Sequence, residues 1–158
     1  MPFLYLILSF ILNFTWENAQ STLYVWHIAG WHKELRLIEA TATGDMLFMI
    51  IIYLALACVH RDWGWVNRRE AYQHPATWII AVMLGALIAI SFELWAVYVN
   101  HRWLYSDAMP IIPIVNVGLS PVAQMITIPP LVIGCLWLIT HQAHRTRSAS
   151  SGDVPADQ

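Results

Sequence analysis

The sequence predicts an all-α, polytopic membrane protein, a four-transmembrane-helix bundle with a proline-broken outer loop, and three observations point that way. Of the 158 residues 58% are apolar and 11% charged, with a mean hydropathy of +0.54, against a charged content of roughly 25% in a soluble domain. Apolar runs near residues 3–25, 45–60, 77–99 and 121–141 approach or reach the ~20 residues that a helix needs to cross hydrocarbon. Nine Trp and six Tyr suit the interfacial belts of such a protein. Residues 1–144 therefore read as a single membrane domain and 145–158 as a disordered polar tail. A net charge of −2 gives no reason to expect nucleic acid as a partner.

The first run begins as membrane filler and turns polar on one side. No Lys or Arg precedes it and no small-x-small cleavage site comes after it, so it reads as a retained helix. Asn13, Glu17, Gln20 and Tyr24 recur at four, three and four residues, which places them on one face. Lipid cannot satisfy such a face, so it lines a groove or a buried network. The following stretch, HIAGWHKELRLIEATATG, mixes Leu and Ile with charge and is expected to lie at the interface as a short helix. Thr41 and Thr43 then offer caps for a second span. Asp45 is expected in the first turn of that span, where unpaired amides and the helix dipole favour a carboxylate.

After a polar loop containing Arg61, Arg68 and Arg69, the third run carries Glu93 within TWIIAVMLGALIAISFELWAVYV. Ala86, Ala89, Glu93, Ala96 and Asn100 form a small and polar stripe at helical spacing, so Glu93 is expected to face protein and not lipid. The next segment is apolar but broken by Pro110, Pro113, Gly118 and Pro121, which predicts a cap or shallow re-entrant loop tucked against the helices. Pro121 suits the first position of the fourth helix. Within that helix, Pro129 and Pro130 should bend the axis and free carbonyls near residues 124–126. Cys58 and Cys135 lie in apolar runs and read as small hydrophobes.

The arginines set orientation. With four spans, Arg61, Arg68, Arg69, Arg145 and Arg147 fall on one side and Lys33, Arg36 and Arg102 on the other, which predicts both termini in the cytoplasm. Counting ~1.5 Å per residue from the cytoplasmic ends, Glu17 and Glu93 lie roughly 20–25 Å up, in the outer half of the bilayer. Asp45, Gln124 and Thr127 come to the same level, beneath loops carrying His27, His32, His101, Trp103, Tyr105 and Asp107.

Two acids in a low-dielectric site separate in proton affinity, so that one can donate a proton while the other acts as a base. Glu17 and Glu93 are therefore the candidate catalytic pair, expected to be neighbours across the bundle. Asn13, Trp16, Gln20, Tyr24, Trp95, Asn100, Trp103, Tyr105 and Gln124 are candidate ligand contacts, and Asp45 and Thr127 supporting groups. Against this stands a purely structural hydrogen-bonded network. The histidines lack the helical spacing or CxxC partners of a recognisable metal site, and there is no haem-attachment or phosphate-loop motif. No metal or cofactor is assigned.

Several elements, Trp16-Glu17-x-x-Gln20, Thr43-Gly44-Asp45, Arg102-Trp103-x-Tyr105-x-x-x-Met109-Pro110 and Gly118-Leu119-Ser120-Pro121-x-x-Gln124, together resemble the signature of small bacterial four-helix membrane proteins. That resemblance implies an inner-membrane location and no particular activity. The Trp-x-Tyr followed by a proline-containing loop is also distantly similar to membrane-embedded carotenoid (lycopene) cyclases, and the intramembrane Trp-Glu to membrane terpene cyclases. Those families use carboxylic acids to start or assist cyclisation. They carry a Pro-x-Glu-Glu element where this chain has Pro121-Val122-Ala123-Gln124, leaving Glu17 and Glu93 as the acids.

Three functions stay open on the sequence. The first is acid-base chemistry on, or binding of, an isoprenoid- or lipid-like molecule. The second is proton- or cation-coupled transport, which calls for a homodimer because four helices make a narrow bundle. The third is an accessory role in a larger membrane complex.

Overall fold

The computed structural model describes the backbone of residues 1–25 and 30–151, with side chains through residue 140 and at Gln142. Trp26 and His27, and the side chains of His141 and His144, lie outside the described residues. The chain is mostly helical, and three of its helices, Trp31–His60, Pro75–Val99 and Leu119–Thr140, are long and apolar enough to cross a membrane. This is a membrane protein by that criterion.

Helix α1, Pro2–Gln20, has proline in its first turn, where a missing N–H leaves no bond unmade. Its buried residues, Tyr5, Ser9, Asn13 and Gln20, share one face. It ends earlier than the expected residue 25. A 3₁₀ turn over Ser21–Leu23 comes next, in which the Ser21 hydroxyl donates to the Asn18 carbonyl at 2.8 Å. Tyr24 is therefore extended, not helical.

The expected interfacial helix and second span are one continuous rod. Helix α2, Trp31–Ala40, passes through a π-helical turn, Thr41–Asp45, into α3, Met46–His60. At 30 residues the rod is about 45 Å long, well beyond the ~30 Å of hydrocarbon. Thr41 and Thr43 do not cap anything: Thr43 donates its hydroxyl to the Glu39 carbonyl at 2.7 Å. The helix-start explanation of Asp45 therefore fails, because its neighbouring amides are inside the rod. No proline interrupts residues 31–60, and the π turn absorbs Gly44 without a break.

A short helix α4, Arg69–Gln73, leads to α5, Pro75–Leu94, whose first turn is capped by the His74 ring accepting from the Ala76 amide. Thr77, Ala81, Gly85, Ala89 and Glu93 form its buried face. Ile79, Met83 and Leu87 are exposed on the other side, so α5 is apolar all round, as a lipid-facing helix is. A second π turn, Trp95–Val99, ends it.

The proline-broken segment contains a small antiparallel hairpin, β1 (Ile111–Ile112) with β2 (Val117–Gly118). It tucks inward as expected: Val117 and Met109 are buried, and a Cβ on Gly118 would meet Met109 Sδ at 3.0 Å. Helix α6, Leu119–Ser151, starts two residues before the expected Pro121 and runs on past the expected end near residue 141, so that residues 145–151 of the anticipated tail continue it.

Helices α5 and α6 meet at their closest where Pro129 removes the N–H that would bind the Met125 carbonyl. That carbonyl points at Gly85, where an added Cβ would sit 2.0 Å from its oxygen. The freed acceptor expected from the prolines is thus used to seat α6 directly on the α5 backbone. Beyond it, Tyr5, Met49, Ile52, Leu56, Trp65, Ile128, Val132, Ile133 and Leu136 fill one end of the bundle as a solid apolar core.

Candidate functional site

At the opposite end the helices part around a cavity of about 620 Å³. Its polar lining comes from every long helix: Glu17 and Gln20 from α1, Asp45 from the first π turn, Glu93 from α5 and Gln124 from α6. Leu37, Phe48, Ala89, Phe92, Met125 and Trp103 supply apolar wall, and Arg36, His101 and Arg102 also line it.

Glu17 is held by amides. Gln20 donates from Nε2 to Glu17 Oε1 at 2.8 Å and to Gln124 Oε1 at 3.1 Å. The Ser120 hydroxyl donates to Gln20 Oε1 at 2.8 Å. Gln124 in turn donates to Asn13 Oδ1 at 2.9 Å, and Asn13 to the Ser9 carbonyl at 2.8 Å. Every amide in this chain is oriented by the next, which fixes the first carboxylate in place. Asn13 and Gln124 are almost wholly buried, so the network satisfies groups that lipid could not.

Glu93 is held separately. It is 3% exposed and accepts the phenolic hydrogen of Tyr105. Tyr105 reaches it from the segment after α5, whose Trp103 and Leu104 line the cavity. Tyr24 and Tyr105 form an isolated antiparallel bridge, flanked by bonds from the Val25 amide to the Leu104 carbonyl at 3.0 Å and from the Ser106 amide to the Leu23 carbonyl at 2.9 Å. The Tyr24 ring packs edge-on against Trp103 at 6.1 Å. Burial raises the Tyr24 phenol well above its ordinary pKa, and the neighbouring Glu93 and Glu17 add to the rise. Burial and the bond to Glu93 raise Tyr105 in the same direction. Both phenols consequently remain hydrogen-bond donors.

Asp45 completes the polar lining. It is 9% exposed, and its Oδ2 has no hydrogen-bond partner among the described residues. A buried acceptor left in this state is costly, and π turns recur at functional positions. No three His, Cys, Asp or Glu side chains among the described residues converge closely enough to hold one metal ion.

Of the residues singled out in the sequence, Glu17, Gln20, Tyr24, Asp45, Glu93, Trp103 and Gln124 line the cavity. Asn13 and Tyr105 stand one hydrogen bond behind it. Glu17 and Glu93 face one space, but each is bonded to its own partners and not to the other. Trp16, Trp95, Asn100 and Thr127 do not line it. Trp95 and Asn100 are exposed; Asn100 leaves the stripe because the π turn Trp95–Val99 adds a residue to the helical repeat before it. Arg36, Arg102, Phe48, Phe92 and Ser120 were not singled out. For Arg36 a signal existed: reading residues 31–60 as one helix puts it on the same face as Ala40, Thr43 and Gly44.

Comparison with known proteins finds no matching family model, no matching curated protein and no matching solved structure.

Proposed function

We propose that this membrane protein binds an isoprenoid- or lipid-like molecule in the cavity and performs acid-base chemistry on it. Glu93 supplies a proton and Glu17 serves as the base or counter-charge. The observation that carries the reading is the gathering of carboxylates from separate helices around one space with apolar walls. Its volume, about 620 Å³, falls within the ~300–1,000 Å³ of ordinary small-molecule sites.

The two acids are held differently, which suits different roles. Glu17 is fixed by amide donors, and Glu93 by a phenol that can follow its protonation state. The resemblance to membrane cyclases departs at Gln124. Gln124 stands where those enzymes carry acid, and here it bonds to the same Gln20 amide that holds Glu17. An amide at this position orients the acid instead of being one.

In the same reading α1 is a fourth span, short of apolar length only because its last turns are polar, and both termini lie on the cytoplasmic side of a bacterial inner membrane. Transport is less well supported. Below the polar network the described core is mostly apolar, with Met49, Ile52, Ile128 and Val132 around the buried hydroxyls of Ser9 and Tyr5, a poorer route for a cation than the network above it.

The test is turnover of the molecule that copurifies with the protein, returned to the wild type and to Glu17→Gln and Glu93→Gln. The wild type converts it, while both variants fold and bind it without conversion. Undiminished conversion by both variants overturns the assignment.

A further inference from the structure

We propose that the molecule held in this cavity carries a positive charge on its apolar body, as a protonated amine, with the ammonium seated against Asp45 and the neighbouring aromatic rings. This rests on the reading that the cavity takes an apolar ligand, and it adds the polar end of that ligand.

Asp45 supplies the first observation. Its carboxyl is nine-tenths buried, lines the cavity and has the Gln124 side chain as a hydrogen-bonding neighbour, yet leaves Oδ2 unpartnered among the described residues. It is not there to finish a helix, since it sits within a continuous rod. A buried carboxyl is retained when something donates to it or neutralises it.

Charge balance is the second. Glu17, Asp45 and Glu93 share the lining with Arg36, His101 and Arg102, but Arg36 is paired with Glu39, and Arg68 with Asp62. Neither pair uses a cavity acid. Arg102 lies over the rings of Trp95 and Trp103 at 6.0 and 5.7 Å.

The wall chemistry is the third. Phe48 and Phe92 meet edge to face at 5.0 Å in the same lining as Asp45 and Glu93, and Tyr24 adds a third ring to it. Aromatic faces beside carboxylates attract a cation on an apolar stem. An anion of the same shape would be set against three acids, and a plain hydrocarbon would leave Oδ2 without a donor.

The experiment uses the full chain in a neutral maltoside detergent, titrated calorimetrically with three molecules of equal chain length: octylammonium, octanol and octanoate. The expected result is saturable binding of octylammonium at least tenfold tighter than of the other two, a preference that Asp45→Asn removes. Phe48→Leu keeps the wall apolar, and should weaken octylammonium several-fold while leaving octanol unchanged; it also serves if the Asp45 variant does not fold. Octanol or octanoate binding as tightly as octylammonium overturns the charge inference and leaves an apolar-ligand cavity standing. Binding of none of the three overturns both. A preference that survives Asp45→Asn overturns the assignment to Asp45.

Discussion

Tyr105 donates its phenolic hydrogen to Glu93, tying the segment after α5 to the acid on α5. Tyr105→Phe removes that donor and leaves a carboxyl that is 3% exposed without it. The expected loss is about 1–3 kcal/mol of stability, the usual result of orphaning a buried polar group. Thermal unfolding in detergent measures it, and an unchanged melting temperature would show that the bond contributes nothing.

Gly85 is expected to tolerate no side chain. A Cβ there would stand 2.0 Å from the Met125 carbonyl oxygen, whereas one at Gly134 meets nothing closer than Trp78 Cη2 at 3.8 Å. Gly85→Ala forces α5 and α6 apart and costs about 1–3 kcal/mol or more, as overpacking does. Gly134→Ala should lie within about 0.5 kcal/mol of the wild type. Paired melting curves decide this, and equal behaviour of the two variants would contradict the close approach.

Gln124→Leu cuts the amide relay in its middle. It deprives Asn13 Oδ1 of its donor at 2.9 Å and Gln20 of an acceptor at 3.1 Å. The expected cost is about 2 kcal/mol, with Glu17 less well oriented. Gln124→Glu keeps an acceptor for Gln20 but can donate to Asn13 Oδ1 only when its carboxyl is protonated, so it should be milder than Gln124→Leu in melting experiments at low pH and lose that advantage as the pH rises; no such dependence would argue against the relay.

Topology is testable with reporters. Fusions after Gly64 and after residue 140 should read on the cytoplasmic side, and a fusion after Asp107 on the other. Any other pattern contradicts the four-span orientation.

Much of this site was legible in the sequence. Glu93 could be read as facing protein from the small residues at its helical spacing, and the structure buries Ala89, Glu93 and Ala96 together. The polar face of α1 was equally plain, since Asn13 and Gln20 share its buried side. The two π turns were not legible. Their i to i+5 bonds depend on how the rod packs and leave no residue signature, so Thr41-Ala42-Thr43-Gly44 read as a cap and Asp45 as a helix start. The same cause moved Asn100 off the expected stripe. Tyr24 was expected on a helix because its spacing fits one. Its actual place depends on pairing with Tyr105, a contact between distant parts of the chain that periodicity cannot report.

The cavity lined by Glu17, Asp45 and Glu93 is expected to hold an apolar molecule. Mass spectrometry of the organic extract from gently purified protein tests it most directly, with the Ala89→Trp variant, whose added ring occupies the cavity, purified in parallel. A discrete isoprenoid- or lipid-like species is expected near one equivalent in the wild type and absent from the variant. Identical bulk lipid in both, with no enriched species, would contradict it.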